Sequence, residues 1–72
     1  MNKREKIVEL VSAYCTIPES DDVELALDSL SLIQLVEELE VAFDIRVLPS
    51  EAGPASFGSI GRIVVFVERK RA

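Results

Sequence analysis

From Asp28 to Phe43 the chain contains neither glycine nor proline, and it repeats Leu32, Leu35, Val36, Leu39 and Phe43 at i, i+3, i+4, i+7 and i+11. That spacing gathers the apolar side chains on one stripe of an α-helix. The segment opens on two capping residues, Asp28 and Ser29, so a helix is expected to begin at one or the other, and Asp44 ends the regular pattern. Leu30, Ile33 and Val41 fall outside the stripe. Extra apolar residues beside a core stripe mean either a broader buried face or an exposed docking surface.

Around this segment the chain divides readily. From Asn2 to about Cys15, Ile7, Leu10, Val11, Tyr14 and Cys15 recur at i, i+3, i+4, i+7 and i+8, with Val8 off the stripe, charged residues on the other side and Asn2 as a cap. Cys15 is expected to be a small buried residue near the end of that helix. Pro18 stops the pattern, and a loop follows from Thr16 to Leu27. A connection of this length is uncommon in a small domain and points to a functional loop, packed through Ile17, Val23, Leu25 and Leu27 at alternating positions.

Beyond Asp44, Ile45 to Pro49 is short and apolar but has no partner strand. Pro49 to Gly58 reads as a loop with at most one short helical turn started by Pro54. Ser56 or Ser59 then caps a last helix in which Ile60, Ile63, Val64 and Val67 share a stripe, and Arg69, Lys70 and Arg71 suit its C-terminal dipole. The run Ile63 to Val67 prefers strand locally and Gly61 weakens a helix, yet a lone strand would have nothing to pair with. The expected fold is all-α: a small four-helix bundle of three longer helices and one short third helix, residues 1–72 making a single domain.

Several functions are disfavoured by composition. At 72 residues a single core is near its lower limit, and with 49% apolar but only 6% aromatic residues it must be built mainly of Leu, Ile and Val. The formal net charge of −5 disfavours nucleic acid and anionic lipid as partners. Cys15 is the only cysteine and there is no histidine, so neither an internal disulfide nor a Cys/His zinc site or thiol nucleophile can form. No apolar run has the length of a signal peptide core or a membrane span, and a cytoplasmic monomer is expected. Adjacent carboxylates such as Asp21 and Asp22, or Glu37 and Glu38, diverge on a helix, and Ser29 has no histidine base for hydrolysis, so no enzyme is expected.

What remains is Ser29 at the mouth of the central helix. The first N–H groups of a helix lack intrahelical partners and carry partial positive charge, so a phosphate ester on that serine would be well accommodated. Spacing alone favours a cap over a modification site.

Asp28-Ser29-Leu30, followed by Ile33, Leu35, Val36, Glu37, Glu38, Leu39 and Phe43-Asp44-Ile45, resembles the central motif of acyl carrier proteins, the small four-helix carriers of fatty acid, polyketide and related pathways. Pro49, Glu51, Phe57, Ser59-Ile60, Ile63 and Phe66-Val67 resemble the family's third loop and last helix, so the likeness covers most of residues 5–68. It implies that Ser29 takes a 4′-phosphopantetheine arm from coenzyme A through a phosphodiester made by a phosphopantetheinyl transferase, and that the arm's thiol holds an acyl group as a thioester. It further implies loading by an acyl or aminoacyl ligase or an acyltransferase, and consumption by downstream synthases or transferases. Asp28 would sit beside the phosphodiester and help the transferase place its metal and substrate. Leu30, Ile33 and Glu37 would line a docking face, with Glu38, Glu40 and Asp44 at its rim.

The charge distribution suits that use. Between Glu19 and Glu51 the acids Glu19, Asp21, Asp22, Glu24, Asp28, Glu37, Glu38, Glu40, Asp44 and Glu51 face one base, Arg46, and could steer basic partner surfaces. The chain departs from the family at Ala26, where glycine is frequent, at Glu37, where an apolar docking residue is frequent, at Gln34, which replaces a common acid, and at Pro54-Ala55-Ser56-Phe57, which lacks an acidic third-helix sequence. These departures point to a dedicated carrier of a specialised pathway, and a free-standing acyl carrier is the expectation. An aminoacyl or peptidyl carrier uses the same arm, although Asp28 leans to the acyl side. In a different class, an unmodified helical adaptor could dock through Leu30 and Ile33.

Overall fold

The first helix, α1 (Lys3–Val11), starts where expected: the Asn2 side chain accepts the Glu5 N–H at 2.8 Å. It ends earlier than its apolar pattern does. Ser12 Oγ donates back to the Glu9 carbonyl at 2.7 Å, and the Ala13 and Tyr14 N–H groups reach the carbonyls of Leu10 and Val11, three residues back. This tightening closes the helix, since a serine hydroxyl bound to a nearby carbonyl competes with the regular ladder. Tyr14 and Cys15 still pack against the core from the following turns, each half-buried, so Cys15 is less enclosed than expected.

In the computed structural model, which describes residues 2–71, α1 is followed by α2 (Ser29–Phe43), a 3₁₀ turn (Pro49–Glu51), α3 (Pro54–Phe57) and α4 (Ile60–Arg71), with no strand among the described residues. The expectation of three longer helices and one short one agrees with this order. The 3₁₀ turn is an addition to it: Pro49 presets the backbone, the Leu48 N–H is taken by Glu51 Oε1 at 2.9 Å, and Lys70 binds the same carboxylate at 2.8 Å.

Helix α4 packs against α1 and α3, and α1 packs against α2. The core they share holds Ile7 and Val11 of α1, Leu35, Val36, Leu39 and Phe43 of α2, Phe57 of α3, and Ile60, Ile63, Phe66 and Val67 of α4. Leu32 and Val64 border it. The β-branched run of α4 is therefore helical because its stripe is buried, which outweighs a local preference of well under 1 kcal/mol per residue. Ser59 is the residue that caps α4, its Oγ accepting the Arg62 N–H at 3.2 Å.

The loop between α1 and α2 is tied down mainly through its backbone. Leu25 is buried and its N–H donates to the Gly58 carbonyl at 2.8 Å, while the Asp21 carbonyl accepts the Gly61 N–H at 3.0 Å. Arg4 grips the Asp21 carboxylate with two hydrogen bonds, at 2.6 and 2.8 Å, which holds that carboxyl below its usual range. Ile17 and Leu27 pack on the core as expected, but Val23 does not: it is exposed, because the turn at Ser20–Val23 breaks the alternation that would have brought it inward.

Candidate functional site

The geometry at the start of α2 separates the two capping residues. Asp28 has extended backbone (φ −84°, ψ 174°), and its Oδ1 accepts the Ser31 N–H at 2.7 Å. It is the N-cap. The backbone N–H of Ser31, and secondarily its hydroxyl, hold the Asp28 carboxyl below the usual carboxylate range. Ser29 is consequently the first residue inside the helix, exposed to solvent, and among the described residues its hydroxyl has no hydrogen-bond partner.

The Leu32 N–H reaches the Asp28 carbonyl at 2.9 Å and starts the regular ladder, which leaves the N–H groups of Ser29 and Leu30 directed out of the helix end. No acidic residue occupies the first turn. An anionic ester on Ser29 Oγ would lie in the partial positive field of a long helix, beside the Asp28 carboxylate that caps it. The residues present thus fit a phosphate-linked group: a free hydroxyl, solvent access and unpaired donors beside it. Adjacent to this end of α2 is a small cleft of about 140 Å³, lined by Leu25, Leu27, Leu32, Pro54 and Phe57 among others.

Along the outer side of α2, Leu30 is 66% exposed and Ile33 57%. Glu37 is also exposed. With spacing i, i+3 and i+7 these three form a ridge that starts beside Ser29 and faces away from the core stripe. Val41 continues the same ridge at i+11 and is 84% exposed. Sequence reasoning had set Val41 outside the core stripe without giving it a role, although its register with Leu30 was a readable signal.

The remaining candidates lie apart from this ridge. Glu38 is half-buried beside α1. Glu40 is half-buried and its Oε2 accepts the Val47 N–H at 2.9 Å, so its carboxylate tethers the segment after the helix. Asp44 closes α2 in the left-handed region (φ 53°), its N–H bonding to the Glu40 carbonyl, while Arg71 donates to the Phe43 carbonyl. Asp44 is about 22 Å from Ser29 by helical rise.

Among the described residues no group of His, Cys, Asp and Glu is arranged to hold a metal ion, and no helix is long and apolar enough to cross a membrane. No family model matches the chain, and no solved structure matches it. It is, however, 36% identical over 69 residues to the D-alanyl carrier protein of Lactococcus lactis subsp. lactis (strain IL1403), a match that covers 90% of this chain and 87% of that relative.

Proposed function

The chain belongs to the carrier-protein family that includes the D-alanyl carrier protein, and from that premise we propose that Ser29 carries 4′-phosphopantetheine and that the fold is a carrier bundle built to present it. The observation that carries this reading is the division between Asp28 and Ser29. Capping is done by Asp28, so the Ser29 hydroxyl is left exposed and unpartnered at the helix mouth.

When attached, the arm supplies a terminal thiol that holds an acyl group as a thioester. The chain's own residues do the rest. Ser29 Oγ provides the ester oxygen, the outward N–H groups of Ser29 and Leu30 stabilise the phosphodiester, and the Asp28 carboxylate stays beside it, where it can help a transferase position its metal. Leu30, Ile33 and Glu37 offer the surface on which the transferase, the loading ligase and the downstream enzymes dock next to the arm, with Glu38, Glu40 and Asp44 contributing negative potential at the margin.

Two observations favour a small aminoacyl cargo. The relative's name gives it D-alanine. The cleft beside Leu27 and Leu32, about 140 Å³, is well below the roughly 300 Å³ at which ligand pockets begin, so it can shelter a short group and not a long acyl chain. A fatty-acid-like or polyketide cargo is the competing reading.

Incubation with coenzyme A and a broad-specificity phosphopantetheinyl transferase, followed by intact mass measurement, tests the attachment. One arm-sized mass increase is expected in the wild type and none in Ser29→Ala. If the folded wild type gains no mass, the adaptor reading replaces this one. Cargo is then read by supplying the holo protein with ATP, D-alanine and a D-alanine-activating ligase, against a fatty acid and its ligase.

A further inference from the structure

The cleft of about 140 Å³ beside the mouth of α2 has apolar walls, Leu27, Leu32, Pro54 and Phe57 among them, and among the described residues Glu24 is the one charged residue that lines it. Glu24 is exposed, which sets it at the rim. Its place is fixed through the backbone, because the adjoining Leu25 is buried and its N–H donates to the Gly58 carbonyl at 2.8 Å. The other carboxylates at this end of the molecule are engaged: Asp21 is gripped by Arg4, and Asp28 accepts the Ser31 N–H. Among the described residues Glu24 makes no ion pair. Arg62 donates to the Pro54 carbonyl at 3.0 Å and lines a separate groove with Val65 and Arg69, so it is not the partner of Glu24. An uncompensated anion therefore stands over apolar walls, and one of those walls, Leu32, is three residues from Ser29.

We propose that Glu24 is a specificity residue for the cargo: its carboxylate pairs with the α-ammonium of an aminoacyl thioester whose small side chain lies against Leu27, Leu32 and Phe57. This rests on the reading that Ser29 carries the arm, and it sharpens the choice of cargo. An aminoacyl group is a cation at neutral pH, and the positive field of a helix mouth opposes it, so a carboxylate is needed where such a group sits. A fatty acyl or polyketide group brings no positive charge and gains nothing from an anion at the rim. The pairing also protects the cargo, since a neighbouring carboxylate favours the protonated amine. Once protonated, the nitrogen has no lone pair with which to attack the thioester carbonyl of another loaded chain.

The test loads the full chain with a broad-specificity phosphopantetheinyl transferase and either isotopically labelled D-alanyl-coenzyme A or propionyl-coenzyme A, which carries the same acyl group without its amine. Intact mass confirms each product. Nuclear magnetic resonance titration of the labelled alanyl group then reads the pKa of its ammonium. That value should be about 0.5 pH units lower in Glu24→Gln than in the wild type. It should be unchanged in Glu19→Gln, which removes an exposed carboxylate of the same loop that does not line the cleft. In the wild type, the Glu24 and Leu25 amides should shift more with alanyl than with propionyl cargo. Equal values in the wild type and Glu24→Gln, an equal fall in Glu19→Gln, or identical amide shifts with both cargoes would overturn the proposal. The two readings fail separately: absence of any mass increase refutes attachment at Ser29 and this proposal with it, whereas a loaded protein whose titration ignores Glu24→Gln refutes the role of Glu24 alone.

Discussion

Leu35 and Ile33 are both apolar, sit two positions apart on α2, and are assigned opposite tasks. Leu35 exposes nothing, whereas Ile33 is 57% exposed. Truncating Leu35 to alanine removes roughly three carbons from water-free surroundings, worth about 2.4 kcal/mol at about 0.8 kcal/mol per buried methylene. The unfilled space adds to this, and about 3 kcal/mol is a reasonable total. A chain of 72 residues unfolds with an entropy of about 150 cal/mol/K near its melting point, so Leu35→Ala should lower the melting temperature by about 20 °C. Against a stability of about 4 to 11 kcal/mol for this length, that is a large share. Ile33→Glu leaves no cavity and installs a good helix former, so it should move the midpoint by about 3 °C at most. Thermal melts followed by far-ultraviolet circular dichroism make the comparison, and transferase rate on the same proteins gives the functional half, in which Ile33→Glu should be the slower substrate despite its intact fold. A melting loss in Ile33→Glu comparable to that of Leu35→Ala would place Ile33 in the core and refute the docking ridge.

The cap and the α3–α4 junction yield further tests. Asp28 has a depressed carboxyl pKa in the folded state, so its contribution is fully present above the unfolded value, about 3.9, and is lost as pH falls through the lower folded value. The melting temperature of the wild type should exceed that of Asp28→Ala at neutral pH, and the gap should close below pH of about 4; a gap independent of pH would show that the carboxylate is not the cap. Gly58 has ordinary right-handed backbone (φ −75°), but a methyl group there would stand 2.4 Å from the Pro54 carbonyl oxygen. Gly58→Ala should therefore destabilise by about 1 to 3 kcal/mol through a forced shift of α3, and an unchanged denaturant midpoint would disprove the close approach.

The helices were largely legible because their stripes are periodic and interior positions cannot tolerate exposure. Leu35, Val36, Leu39 and Phe43 were placed in the core from spacing alone, and Ile60, Ile63 and Val67 likewise. Local chemistry also announced the Asn2 cap. What periodicity overestimated was the length of α1, since a Ser12 hydroxyl that bonds backward leaves no mark on apolar spacing. Val23 was misplaced for a similar reason: alternation in a loop has meaning only if the backbone stays extended, and here it turns.

At the candidate site, the amino-acid order by itself determined that a hydroxyl and a carboxylate stand together at the mouth of a helix with acidic residues downstream. It could not choose between Asp28 and Ser29 as the cap, because either side chain can reach an orphan N–H and the choice depends on which residue keeps extended backbone. The tertiary structure decided it for Asp28 and released Ser29 to solvent. It likewise decided which apolar residues of α2 are surplus to the core, since exposure is a property of what packs alongside, and no single helix specifies its neighbours. Leu30, Ile33 and Val41 are exposed because they lie on the face of α2 opposite Leu35, Val36, Leu39 and Phe43, the stripe that packs into the core.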